Sequence, residues 1–146
     1  MALGDYAELK ALSIEVGSVF KMTLYPCDKV RPKHQGDVSR DKYFVIIGKT
    51  SDSLLVASLL INTDINGRLF NINGPYQHCI YPSDYEFLED KCRYVDAYAI
   101  KELSVERILQ KAEYIGKLSP DDVDACVELV KASPANSSYV LNKFNI

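Results

Sequence analysis

The chain has 146 residues, 47% of them hydrophobic and 25% charged, with a formal net charge of −3. These are the proportions of one folded domain that buries roughly two thirds of the surface its unfolded form exposes, and they exclude wholesale disorder and fibrous repeats. The longest apolar run, Leu54 to Ile61, is eight residues including Ser58. A bilayer span needs roughly 20, so none is expected, and the early Asp5 and Glu8 are wrong for a secretory signal, which implies a cytoplasmic address.

Charge is segregated. Lys21 to Lys49 holds seven basic and three acidic residues, a local +4, whereas Asp84 to Ile146 holds eight basic and twelve acidic, a local −4. Such asymmetry is compatible with one face meeting an anionic partner, but a +4 segment without an arginine cluster is much weaker than the basic stripe of a dedicated DNA binder. Cys27, Cys79, Cys92 and Cys126 are irregularly spaced with no CxxC pair. Free or structural thiols and no metal site are expected.

In chain order, Tyr6, Leu9 and Leu12 share one face of a short helix over Asp5–Leu12. Ser18–Tyr25 alternates as a half-buried strand that Pro26 ends. Pro26–Asp41 has two prolines, a glycine and no periodicity. A loop of that length inside a compact domain is functional or disordered. Lys42–Gly48 and Leu54–Ile61 are aliphatic and β-branched around the polar turn KTSDS, and so predict a central hairpin buried on both faces.

Asn66-Gly67 is a hairpin-turn signal, and Gln77–Tyr81 and Arg93–Tyr98 are further strands. Five or six sequential antiparallel strands predict a small β-barrel. From Ser104 the periodicity becomes helical. Ser104 caps a helix with Val105, Ile108, Leu109, Ala112 and Ile115 on one face and Gly116 as its C-terminal cap. Ser119 and Pro120 open a second helix with an apolar face of Val123, Cys126, Val127 and Val130, stopped by Pro134, and a last turn or helix runs from Ser137 through Phe144. The fold class is mainly β with C-terminal α, a small antiparallel barrel followed by two or three helices.

The ordered strings GSVFKMTL, KYFVIIG, LLVASLLI and YVDAYAIKELSVERILQKAEYIGKLSPDDVDACVELVKAS, spanning roughly Gly17 to Ser133, resemble the PemK/MazF-like (Kid/MazF) family. These are toxins of type II toxin–antitoxin systems. The resemblance implies a single domain over 1–146, with an SH3-like barrel at 17–103 and helices at 104–146 packed on it. It implies a homodimeric endoribonuclease that cuts single-stranded RNA, often messenger RNA, without metal or other cofactor. An antitoxin protein would neutralise it by lying over the RNA groove.

Cleavage by the RNA's own 2′-hydroxyl requires a cation for the phosphate charge and a group to manage protons. In the family an arginine just before the second strand and a threonine at the end of the third carry these roles. The arginine position falls at Arg40 or Lys42, and the threonine position near Leu60, with Ser58 two residues before and Thr63 three after. The catalytic candidates are therefore Arg40, Lys42, Ser58, Thr63 and His34, the last a titrating imidazole in the basic loop. The RNA-binding candidates are Lys29, Arg31, Lys33 and Asn62.

Some family members carry a cooperating Arg/Asp pair in the strand occupied here by Arg93 and Asp96, but three residues apart on a strand these two face opposite sides. Tyr76, Tyr81, Tyr85, Tyr94 and Tyr98 are candidates for base stacking or for packing. Lys42-Tyr43 where the family has proline, and Leu60 where it has threonine, give the alternative function: a catalytically inactive barrel that binds a protein partner or nucleic acid. A third alternative is a mobile-element protein that blocks host machinery.

Overall fold

The computed structural model describes residues 14–28, 40–63 and 70–146, and of Arg40, Phe70 and Asn71 the backbone alone. Seven strands form one antiparallel sheet: β1 (Ser18–Leu24), β2 (Arg40–Lys49), β3 (Leu55–Asn62), β4 (Gln77–Ile80), β5 (Arg93–Asp96), β6 (Lys101–Ser104) and β7 (Glu113–Lys117). The ladder runs β4-β5-β3-β2-β1-β7, with β6 also on β3. Long β3 serves two partners along one edge, β6 over Leu55–Ser58 and β5 at Ile61 and Asn62. Among the described residues β4 and β7 are the two ends of this path and do not pair with each other. An antiparallel sheet with C-terminal helices is thus present, and the ladder itself does not close into a barrel.

The central hairpin is apolar at consecutive positions because both faces of the sheet are covered. Val45, Ile47, Leu59 and Ile61 belong to one core cluster with Val123, Cys126, Val130 and Phe144. Phe44, Ile46 and Leu60 belong to another with Phe20, Met22, Leu24, Val105 and Ile108. Strand alternation sends successive side chains to opposite faces. A register shift between Ile46 and Gly48 interrupts the β2–β3 ladder. Gly48 is obligatory there, since a Cβ on it would lie 2.5 Å from the Phe144 carbonyl oxygen.

The three helices from Ser104 onward begin where the sequence signals place them. α1 (Phe70–Asn73) is one turn in the β3–β4 connection, α2 is Val105–Lys111, α3 Pro120–Ala132 and α4 Ser138–Lys143. Ser104, Ser119 and Ser137 Oγ each accept a hydrogen bond from the backbone N–H three residues on. This satisfies one of the N–H groups that a helix start leaves unpaired. No helix among the described residues is long and apolar enough to cross a membrane.

Two expectations need correcting. The helix predicted to run from Ser104 to Gly116 stops at Lys111, and Glu113–Lys117 is strand β7, paired with β1. Without β7 that edge of β1 would leave a row of backbone groups unpaired, so the ladder outweighs the helical spacing of Ile115. Gly116 is no C-terminal cap: it lies in β7, where a Cβ would sit 3.1 Å from Phe87 Cδ1. The strand candidates after β3 do not form a hairpin with it either, because among the described residues β4 pairs with β5 alone. The Asn66-Gly67 turn and the Asp5–Leu12 helix lie outside the described residues.

Candidate nucleic-acid interface

At one end of β1, β2, β3 and β5 a cleft of about 340 Å³ is bordered by Lys21, Asp41, Lys42, Tyr43, Ile61, Thr63 and Arg93. Register explains the set. Lys21 pairs with Tyr43, Tyr43 with Ile61 and Ile61 with Val95, so these four form one row across the sheet. Arg93, two residues before Val95, shares its face. Four strands distant in sequence therefore bring two cations and an aromatic ring together.

Tyr43 organises the cations. The Arg93 guanidinium carbon lies 4.7 Å from the Tyr43 ring centre and Lys21 Nζ 5.9 Å, while Phe87 meets the ring edge-on at 6.3 Å and 88°. Ring faces attract cations, and packing by Phe87 fixes the ring. Among the described residues neither Lys21 nor Arg93 forms an ion pair, and Arg93 Nε is buried without a hydrogen-bond partner. The acid of the cleft is engaged elsewhere: Thr23 Oγ1 donates to Asp41 Oδ1 at 2.6 Å. Two cations without carboxylate partners, one with a desolvated N–H, suit an anion such as phosphate.

The expected site residues separate. Lys42 borders the cleft, but it is only 5% exposed and its ammonium donates to Asn62 Oδ1. Asn62 is thus occupied as the partner of Lys42. Thr63 is exposed just past β3 and borders the cleft with Lys21 and Arg93. Ser58 does not reach it: fully buried, it donates to the Lys101 carbonyl at 2.7 Å, a hydroxyl of the core. Arg40 begins β2 opposite Leu24, its side chain outside the described residues. Lys29, Arg31, Lys33 and His34 also lie outside them.

The point from which their loop departs is fixed. Arg107 of α2 clasps Asp28 with two bonds, of 2.5 and 2.8 Å, at the turn Pro26–Asp28. Hydrogen bonding from Arg107 holds the Asp28 carboxyl below the usual carboxylate range, against the effect of burial.

Lys21, Tyr43 and Arg93 were not among the expected site residues. Lys21 carries a signal in hindsight, standing with Val19 and Thr23 on one parity of β1 as the single cation. Arg93 and Asp96 do face opposite ways: Asp96 accepts from Gln77 Nε2 at 2.9 Å and from the Tyr98 N–H at 3.0 Å. Of the tyrosines, Tyr76 and Tyr98 pack on each other at 5.7 Å and Tyr85 is buried. All four cysteines are free thiols, and among the described residues no group of three or more His, Cys, Asp or Glu could hold a metal ion.

No protein-family profile matches this chain, and no curated protein does. Among solved structures, a chain in the crystal structure of MazE-MazF (form III) from Deinococcus radiodurans matches with a TM-score of 0.52 and 11% identity, over 81% of this chain and 92% of that one. The likeness is one of overall fold, at an identity too low to carry side-chain roles across. The chain has a divergent PemK/MazF-like fold.

Proposed function

We propose that this chain is the toxin of a toxin–antitoxin pair and that its cleft binds and cuts single-stranded RNA. The observation that carries this reading is the pair Lys21 and Arg93, held on Tyr43 without carboxylate partners beside the Thr63 hydroxyl. In the proposed reaction the RNA 2′-oxygen attacks phosphorus, the 5′-oxygen leaves with a proton, and a 2′,3′-cyclic phosphate remains. Arg93 and Lys21 neutralise charge as it builds on the phosphoryl oxygens. Arg40, at the start of β2, and Lys42 add further positive charge.

Thr63 donates a hydrogen bond to the phosphate, and His34 is the group able to exchange protons near neutral pH. Lys29, Arg31 and Lys33 grip the flanking backbone as further phosphate contacts. The reading includes coiling of the sheet as an SH3-like barrel, a homodimer, a cytoplasmic address and an antitoxin lying over the cleft. Incubating the pure protein with a long single-stranded RNA in the presence of a chelator tests it. Fragments ending in cyclic phosphate, lost in Arg93→Ala, are expected; intact RNA with wild-type protein refutes cleavage.

A second reading is favoured by Leu60 and Ser58, which leave the end of β3 without an accessible hydroxyl before Thr63. There the cleft binds RNA or an acidic protein segment without cutting. Saturable binding with intact RNA selects it.

A further inference from the structure

β4 and β5 pair Cys79 with Tyr94 and Ile80 with Arg93. Ile80 and Val95 point into the core, at 1% and 0% exposure. By alternation Cys79 and Tyr94 lie on the opposite face, and continuing the register by one pair sets Tyr81 against Cys92 on that face too. Cys79 is half-buried, Cys92 is exposed, and both are free thiols. Their groups interact: burial pushes the Cys79 thiol up and the charge of Cys92 adds to this, while bonding to Cys79 pushes up the Tyr81 phenol. Of the other cysteines, Cys27 lies in the turn after β1 and Cys126 is buried on the core face of α3.

We propose that Cys79 and Cys92 are a redox modification site, closing reversibly to an intrachain disulfide across the β4–β5 pair. The oxidant is a small-molecule disulfide such as oxidised glutathione. Cys92, the exposed thiol, attacks as thiolate, forms a mixed disulfide and expels one glutathione thiolate. Cys79 then gives up its proton and attacks the Cys92 sulfur, expelling the second glutathione. The two protein thiols are oxidised to one disulfide, and the oxidised glutathione is reduced to two thiols.

Diagonal neighbours on antiparallel strands have Cα atoms about 7–8 Å apart, and a disulfide needs about 4.4–6.8 Å, so closure draws the two together. Cys92 can move without loss of a ladder bond because it precedes β5, at the end of an irregular connection. The next residue is Arg93, so the bond also pulls on the guanidinium in the cleft. That coupling rests on the cleft reading; formation of the bond does not.

The test exposes the full chain to a series of reduced-to-oxidised glutathione ratios, traps free thiols with an alkylating reagent and maps the products by mass spectrometry. The expected product is a linked pair of tryptic peptides containing Cys79 and Cys92, reversed by a dithiol. In Cys79→Ser a stable glutathione adduct on Cys92 replaces it, and in the exposed-site variant Cys92→Ser neither forms. Equal adduct yield on Cys92 in wild type and Cys79→Ser, with no linked pair, overturns the proposal, as does linkage of Cys92 to Cys27 at a comparable rate. A several-fold change in single-stranded RNA affinity on oxidation, absent in Cys92→Ser, supports the coupling. A linked pair with unchanged affinity overturns the coupling and leaves the site.

Discussion

Replacing Arg93 by alanine removes the cation that the structure prepares most fully for an anion. Its guanidinium is stacked 4.7 Å from the centre of the Tyr43 ring and its Nε is already buried without a partner. Much of the desolvation and ordering that a phosphate contact normally costs is therefore spent in the free protein. A hydrogen bond to a charged group contributes about 1.5–3 kcal/mol, so Arg93→Ala is expected to weaken single-stranded RNA binding roughly 10- to 100-fold. Each phosphate neutralised on a single strand adds about −0.7 to the slope of log affinity against log salt. Lys21 and Arg93 as the two contacting cations of the cleft contribute about −1.4 to that slope, falling to about −0.7 in the variant. Fluorescence anisotropy of a short labelled RNA, read across a salt series, measures both. The lost ring contact costs about 0.5–1 kcal/mol of stability, so a thermal melt accompanies each titration. Arg93→Lys restores the slope but not the full affinity, because an ammonium lacks the planar fork. A folded Arg93→Ala protein with wild-type affinity and slope would refute the cleft as the binding site.

Ser58→Ala leaves the Lys101 carbonyl without its 2.7 Å donor, and about 1–3 kcal/mol of stability should be lost in denaturant titration while RNA binding and cleavage stay at wild-type levels. A loss of activity in the folded variant would return Ser58 to the site. Gly48→Ala drives a Cβ to within 2.5 Å of the Phe144 carbonyl, and the overpacking is expected to cost about 1–3 kcal/mol, read as a lower denaturation midpoint; an unchanged midpoint means that α4 can yield there. Asp122 links α3 to β4 through His78, 2.8 Å away, and also accepts from the Tyr85 hydroxyl. Burial pushes its carboxyl up, but bonds from Tyr85 and His78 together reverse this and leave it below the ordinary range. A depressed folded value stabilises above the unfolded pKa and is lost as pH falls through the folded one. The melting temperature should therefore drop more steeply below about pH 4 in the wild type than in Asp122→Asn. Parallel acid limbs would show that the carboxyl is not perturbed.

What the sequence reveals follows the range of the interactions involved. Ser104, Ser119 and Ser137 are legible as helix starts because a cap is decided within three residues. The β2–β3 hairpin is legible because apolar residues of both parities can only be buried on both faces. Glu113–Lys117 is misread because Ile115 continues the helical spacing from Ile108. What makes the segment a strand is β1, whose free edge lies nearly a hundred residues earlier. The site divides in the same way. Thr63 and Lys42 can be found by their places at strand ends, whereas Lys21 and Arg93 meet only through the pairing of β1, β2, β3 and β5.

This changes which cation is suited to the phosphate. Near the start of β2, Lys42 shares with Arg40 the position that the family resemblance assigns to arginine, but it is only 5% exposed and its ammonium is held on Asn62. In the proposed reading Lys42 therefore acts on a bound anion mainly through its field. Arg93 is under no such constraint. Its guanidinium borders a cleft that also holds Lys21 and Thr63, its Nε has no hydrogen-bond partner, and a guanidinium can hold two phosphoryl oxygens at once. The roles can be separated by salt dependence: Lys42→Met should lower affinity with little change in slope if its charge acts through its field, whereas Arg93→Ala should change both. A larger loss of slope in Lys42→Met than in Arg93→Ala would reverse the assignment and return the phosphate contact to β2.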